Sequence, residues 1–140
     1  MSTEINRNKL VHEVMLKPNS FPVLKETTIL KEALETMGKF NLGIACIVDD
    51  DSKLLGLVTD GDIRRKLLKV QKPFSALFVD DALEHCIKSP LCINPDAKLI
   101  DGVNLMGAKH VWDLPVVDDN LRLVGLLHLH PAINAVLGNS

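Results

Sequence analysis

The turn Thr59-Asp60-Gly61-Asp62 holds the oxygen atoms of this sequence that are best placed to bind a ligand. It follows an apolar run that ends at Val58, and Arg64 and Arg65 come shortly after it. A carboxylate accepts hydrogen bonds, a Thr hydroxyl donates and accepts them, and the first turn of a helix offers free N–H groups that suit a phosphate. The two arginines would supply countercharge. The spacing predicts a polar-ligand site where a strand passes into a helix.

Two other interpretations use the same residues. Thr59 and Asp62 form a variant of the capping box, in which both side chains satisfy backbone donors of the helix and bind nothing. Asp60 and Asp62 form an Asp-x-Asp pair for Mg²⁺, but the sequence supplies no further ligands beside them. His85, Cys86 and Cys92 match no zinc spacing. We therefore predict no metal site, and no catalytic residue, because no nucleophile stands beside a base in a recognisable motif.

The sequence contains two copies of one unit, and this turn lies in the first copy. A shift of 69 residues places residues 30–57 over residues 99–126 without a gap. The coinciding residues include Met37-Gly38 with Met106-Gly107, Val48-Asp49-Asp50 with Val117-Asp118-Asp119, and Gly56-Leu57 with Gly125-Leu126. The period is long and there are only two copies, so the chain is predicted to be a tandem of small domains, residues 8–72 and 73–140.

Each copy predicts the order strand, helix, strand, strand, helix. In the first copy these are residues 21–24, 29–40, 44–48, 54–58 and a helix from the turn to about Val70, with Thr27 or Thr28 as a helix cap; in the second they are 91–93, 97–109, 114–117, 123–127 and 131–137. One such unit has helices on one face of its sheet and leaves the other face exposed to solvent. The predicted fold is α/β (α+β), with two pseudo-symmetric repeats packed sheet to sheet in one globule.

Composition excludes several classes of partner. Aromatic residues are 4% of the chain, Tyr is absent and the formal net charge is -2, so we predict no nucleic-acid partner. No apolar run approaches the length of a membrane span, which predicts no membrane partner. The three cysteines have no paired spacing, which favours a reducing, cytoplasmic setting.

The copies resemble the cystathionine-β-synthase (CBS) domain pair, or Bateman module. The segments that carry the resemblance are VDDDSKLLGLVTDGD in the first copy and VVDDNLRLVGLL in the second. VTDGDIRRKLL, NLGIACIVDD and LVGLLHLHPAINAVL are also similar to the C-terminal CBS pair of arabinose-5-phosphate isomerases, the sugar-phosphate isomerases of Kdo biosynthesis. The catalytic sugar-isomerase domain of those enzymes has no counterpart in this sequence, so the chain is predicted to be regulatory and not an enzyme.

The resemblance implies a nucleotide in the cleft between the repeats, with its ribose held by Thr59 and Asp62. The expected ligand-binding residues are Thr59, Asp60, Asp62, Arg64 and Arg65, with Val23, Ile44 and Ala45 around the base. The expected ligand is AMP, ADP or ATP, with CMP-Kdo as the alternative, and no cofactor is required. Binding would modulate an attached or partnering enzyme, such as a sugar-phosphate isomerase.

The second copy departs from this pattern. His128-Leu129-His130-Pro131 replaces the Thr-Asp-Gly-Asp turn, and Pro131 suits the first position of a helix but cannot clamp a ribose. The second site, assigned to His128, His130, Leu114 and Pro115, is therefore predicted to be degraded. Trp112 is expected either to line the cleft or to cover the core. The resemblance also implies a homodimer, and a ligand-free dimerisation module is the remaining alternative.

Overall fold

The computed structural model describes residues 5–69 and 73–138. The chain divides into two compact units, of which one contains Asn19–Pro90 and the other combines Met1–Pro18 with Leu91–Ser140. Within the described residues, no helix is both long and apolar enough to cross a membrane.

The first unit has a four-stranded sheet covered by helices. Its elements are β1 (Val23–Lys25), α1 (Leu30–Phe40), β2 (Ile44–Val48), β3 (Leu54–Thr59), α2 (Asp60–Lys69), α3 (Phe74–Phe78) and β4 (Ile87–Lys88). The strand order is β1-β2-β3-β4, with β1 parallel to β2 and the other neighbours antiparallel. The apolar stripe of α1 packs on the sheet in a core that includes Leu30, Ala33, Met37, Ala45, Ile47 and Val58.

The second unit repeats this plan with a smaller sheet. Its elements are α4 (Leu99–Lys109), β5 (Asp113–Val117), β6 (Leu123–His128) and α5 (Leu129–Val136), and β5 pairs with β6 in an antiparallel hairpin. Its core includes Leu99, Met106, Leu114, Val116, Leu127 and Ala132. The predicted helices and hairpins of both copies are thus confirmed to within two residues at most ends, and the end predicted at Val70 lies outside the described residues.

The helix ends follow local chemistry, with one exception. Asn41 ends α1 in the left-handed conformation at φ 53°, and His110 ends α4 in the same way at φ 55°. The prediction that Thr27 or Thr28 caps α1 is wrong, because the N-cap residue is Ile29 and it makes no side-chain cap hydrogen bond. The Leu30 N–H instead donates to the carbonyl of Asp80, at 2.8 Å.

The two compact units do not coincide with the sequence repeats of residues 8–72 and 73–140. The opening segment of each repeat belongs to the unit that holds the rest of the other repeat. The chain before Pro18 belongs to the unit of the second copy, where Leu16 and Leu126 exchange two backbone hydrogen bonds of 2.8 and 3.0 Å. The chain before Pro90 belongs to the unit of the first copy, where β4 pairs with Gly56 and Leu57 of β3. Each repeat therefore contributes its opening segment to the sheet of the other repeat's unit.

A proline explains why the strand predicted at residues 91–93 is reduced to a single bridge between Ile93 and Val116. In the first unit, the Cys46 N–H donates to the carbonyl of Pro22, which helps to hold β1 beside β2. Pro115 occupies the position of Cys46 in the second copy and has no N–H to donate. The remaining contacts are Ile93 N–H to Pro115 and Val117 N–H to Ile93, both 3.0 Å.

Candidate functional site

Thr59 and Asp62 meet where β3 passes into α2. The Thr59 hydroxyl donates to Asp62 Oδ2 at 2.7 Å and accepts from the Asp62 N–H at 3.2 Å. The second contact is the N-terminal cap that the sequence allowed. The Asp62 carboxylate is turned toward the Thr59 hydroxyl, so the two side chains form one hydrogen-bonded pair at the surface.

Arg65 completes this pair from the next turn of α2. Its guanidinium donates to Asp62 Oδ1 at 2.5 Å, and the Asp62 side chain is 29% exposed. Each carboxylate oxygen therefore has one donor and keeps further acceptor capacity. Arg64 lies beside Arg65 in sequence and is exposed. Of the two arginines predicted to surround the ligand, Arg65 is the one that contacts Asp62.

The surroundings of Asp62 favour its ionised form. Partial burial by itself would raise the pKa of this carboxyl, but the Thr59 hydrogen bond and the hydrogen bond and charge of Arg65 outweigh it, so the pKa lies below its ordinary value. The carboxylate stays ionised and acts as an acceptor, as recognition of ribose hydroxyls requires.

The Asp60 side chain lies beside Gly43. Its Oδ2 lies 2.9 Å from where a side chain at Gly43 would begin, and the Asp60 N–H donates to the Gly43 carbonyl at 3.0 Å. Asp60 borders an open groove of about 340 Å³ at the end of α1, lined by Leu34, Met37, Gly38, Asn41, Leu42 and Gly43. Asp60 therefore lines this groove, whereas Asp62 bonds to Thr59 and Arg65.

The three residues predicted around the base divide between two faces of the sheet. Ile44 is paired directly with Thr59 across the β2–β3 ladder, so their side chains share one face. Val23 is 36% exposed and lies on the opposite side of β1 from the core residue Leu24. Ala45 is fully buried in the core beneath α1. Its side chain therefore packs against α1 and does not line a pocket on the Thr59 face.

In the second copy a half-buried acid occupies the position of Ile44 in the first. Asp113 and His128 are paired across the β5–β6 ladder, as Ile44 and Thr59 are across β2–β3. His128 Nδ1 lies 2.7 Å from Asp113 Oδ1, and the two side chains are 31% and 14% exposed. Burial raises the pKa of Asp113, and the hydrogen bond and charge of His128 only partly offset this. Sequence reasoning missed Asp113, although the repeat register aligns it with Ile44.

The other residues predicted for the second site lie on β5 and α5. His130 is exposed on α5, and the helix begins at Leu129, so Pro131 lies in its first turn and not at its first position. Leu114 and Pro115 are buried, with Leu114 in the core of its unit. Trp112 is 71% exposed and does not cover the core. Of the four residues predicted for the second site, His128 lies within hydrogen-bond distance of a further side chain, that of Asp113.

The charge of Asp62 predicts a pH-dependent stability. A carboxyl whose folded pKa is lowered contributes stability that is present above its unfolded pKa and lost as the pH falls through the folded pKa. Replacing Thr59 by Val removes both hydroxyl contacts, so we expect the free energy of unfolding to fall by about 1 kcal/mol at pH 7. This loss should shrink as the pH is lowered from 7 toward about 3 and approaches the folded pKa of Asp62, which lies below its ordinary value.

Urea denaturation at the two pH values measures this difference. Thr36→Val is the matched control, because the Thr36 hydroxyl donates to the backbone carbonyl of Glu32. Its effect should not change with pH. A pH-independent loss in Thr59→Val would show that the hydroxyl acts on the backbone alone.

Comparison with known proteins identifies the family. The CBS domain family matches the chain twice, over residues 11–69 and 79–130. The chain belongs to this family. Its sequence-based resemblance to CBS pairs is confirmed.

The chain is also similar to individual known proteins. The chain is 29% identical to the arabinose 5-phosphate isomerase KdsD of Escherichia coli K12 and 28% identical to protein RP505 of Rickettsia prowazekii, in each case over 89% of this chain. It spans only 37% of the length of each of these two relatives. The crystal structure of CBSX2 in complex with AMP shares 26% identity, with a TM-score of 0.81 over 93% of this chain and 97% of that one.

Proposed function

We propose that this CBS pair is a regulatory module that binds an adenine nucleotide, AMP, ADP or ATP, at the start of α2. The single observation that carries the proposal is the pair of Thr59 and Asp62, whose hydroxyl and ionised carboxylate lie 2.7 Å apart at a helix N-terminus. The carboxylate would accept hydrogen bonds from the ribose hydroxyls, and Arg65 would turn toward the phosphate. The likeness to CBSX2, which was crystallised with AMP, supports the choice of an adenine nucleotide.

Regulation follows from differential binding. A ligand that favours one arrangement of the two repeats would bias an attached or partnering enzyme by the difference between its affinities for the two arrangements. The sequence contains no recognisable motif that places a nucleophile beside a base, and both family matches are CBS domains. The enzyme whose activity changes would therefore lie outside these 140 residues.

A second candidate is favoured by the similarity to KdsD. That relative is named as an arabinose 5-phosphate isomerase, and the chain matches 37% of its length. If this CBS pair regulates such an isomerase, CMP-Kdo is the expected ligand, because it carries a ribose for Asp62 and a different base. Both candidate ligands contain a ribose, so the contacts to the base would distinguish CMP-Kdo from an adenine nucleotide.

Thermal unfolding in the presence of AMP, ADP, ATP, S-adenosylmethionine, CMP and CMP-Kdo tests the proposal. Ligand at about 100 times its Kd should add about 2.7 kcal/mol to the free energy of unfolding and raise Tm by several degrees. We expect an adenine nucleotide to stabilise the wild type and to lose this effect in Asp62→Ala. Asp101→Ala is the matched control, since it removes a first-turn helix carboxylate from the other repeat.

The outcomes separate the candidates. Stabilisation by CMP-Kdo alone would support the isomerase-linked candidate and overturn the adenine nucleotide. Stabilisation that survives in Asp62→Ala would remove the ligand from the start of α2. No stabilisation by any ligand, with a lower Tm for unliganded Asp62→Ala, would leave a ligand-free association module.

A further inference from the structure

The segment before β4 gathers three metal-ligating side chains. Asp80, Glu84 and His85 each offer a ligand atom, and these atoms all lie within 4.8 Å of one another. Among residues 5–69 and 73–138 this is the one group of three or more such side chains. An ion at about 2.0–2.2 Å from each donor atom needs these atoms within about 4.4 Å of one another. Small side-chain rotations would bring the three donor atoms to that spacing.

The histidine of this cluster faces Asp80 from a buried place. The His85 side chain is 7% exposed, and its Nε2 lies 2.9 Å from Asp80 Oδ2. Nε2 is therefore the ring nitrogen that lies beside the carboxylate. In the tautomer protonated at Nδ1, the free lone pair is on Nε2, which would bind an ion together with Asp80.

The second unit shows that the fold does not require these side chains. A shift of 71 residues places residues 9–16 over residues 80–87. The backbone contacts are the same: Leu99 N–H donates to the Lys9 carbonyl as Leu30 N–H does to Asp80, both at 2.8 Å. Lys9 and Val14 stand where the first unit has Asp80 and His85.

The glutamate at the third position also differs between the two segments. Glu13 accepts from the Leu10 N–H at 2.7 Å and so caps its own 3-10 helix. Glu84 occupies the equivalent position, but its carboxylate belongs to the cluster with Asp80 and His85. Lys66 lies nearby and donates to the Glu84 carbonyl at 3.3 Å. Only one of the two equivalent segments therefore brings its donors together.

We propose that Asp80, Glu84 and His85 bind a transition-metal dication of the zinc class. One imidazole and two carboxylates suit Zn²⁺, Co²⁺ or Mn²⁺ better than Ca²⁺ or Mg²⁺, which prefer oxygen ligands alone. The ion would fix the 3-10 helix Ala82–His85, which leads the chain into β4. This site is separate from Thr59 and Asp62 and does not depend on the proposed nucleotide.

Titration of the chelator-treated, reduced protein with Co²⁺, followed by competition with Zn²⁺, tests the site. We expect one Co²⁺ per chain, with d–d absorption and no thiolate charge-transfer band, because the donors are nitrogen and oxygen. Asp80→Asn keeps the shape of the side chain, and His85→Val introduces the residue that the second unit has at this position. Each should weaken binding by about tenfold or more.

His12→Gln is the control, since His12 is an exposed histidine in the equivalent segment and should leave Co²⁺ affinity unchanged. Thermal unfolding of each variant without metal confirms that it is folded. Unchanged affinity in both variants would overturn the site. So would a thiolate charge-transfer band, which would assign the ion to a cysteine, or the absence of Co²⁺ and Zn²⁺ binding to the wild type.

Discussion

Replacing Gly125 by Val is expected to lower the free energy of unfolding by about 2–4 kcal/mol, which would be among the largest single-residue effects in this chain. A Cβ at Gly125 would overlap the thioether of Met15 and lie 2.8 Å from the carbonyl oxygen of Leu16. Met15 could rotate, but Leu16 is held by two backbone hydrogen bonds to Leu126. The added side chain would therefore displace the opening segment from β6.

Urea denaturation measures the effect, and Gly107→Ala is its matched control. Gly107 lies inside α4, and nothing is within 4 Å of the place where its Cβ would be. Alanine there should raise the free energy of unfolding by about 0.5–1 kcal/mol, because glycine weakens a helix interior. Wild-type stability in Gly125→Val would contradict the close packing of residues 15 and 16 on β6.

Replacing His128 by Ala is expected to lower the free energy of unfolding by about 1–3 kcal/mol at pH 7, because it leaves the Asp113 carboxylate without its partner. The Asp113 side chain is only 14% exposed and lies 2.7 Å from His128 in the wild type. His130→Ala is the control, since His130 is exposed and its removal should change stability by less than about 0.5 kcal/mol.

The pH dependence identifies Asp113 as the cause. Burial raises the folded pKa of this carboxyl, so its contribution to stability is present below the unfolded pKa and is lost as the pH rises through the folded pKa. Without His128 the folded pKa of Asp113 rises further, so more stability is lost as the pH rises and Asp113 ionises. The deficit of His128→Ala should therefore be larger at pH 7 than at pH 4. Adding Asp113→Asn should restore most of it; if the double variant is no more stable, the pair is not the cause.

Local sequence patterns determined the elements of this protein. The helices and the paired strands depend on residues a few positions apart, and their predicted bounds agree with the structure to within two residues at most ends. The repeat of 69 residues carried the same assignments into the second copy. The contact between Thr59 and Asp62 was also predictable, because the two residues are three positions apart at a helix start.

The tertiary structure decided which segments and side chains meet. Residues far apart in sequence form the pairs of Leu16 with Leu126 and Asp113 with His128, and no local pattern specifies them. The exchange of opening segments follows from backbone hydrogen bonding at the edge of each sheet. It also carries Asp80 to the start of α1, where its carbonyl caps Leu30 and its carboxylate meets His85.

The candidate site divides in the same way. Sequence spacing determined that Thr59 and Asp62 lie together, whereas the strand pairing decided that Ile44 shares the face of Thr59 and that Ala45 faces the core. Successive residues of a strand point to opposite faces, so a shift of one residue in the pairing would reverse these assignments. Backbone hydrogen bonds and burial of the α1 stripe determine that register, and both depend on the whole unit.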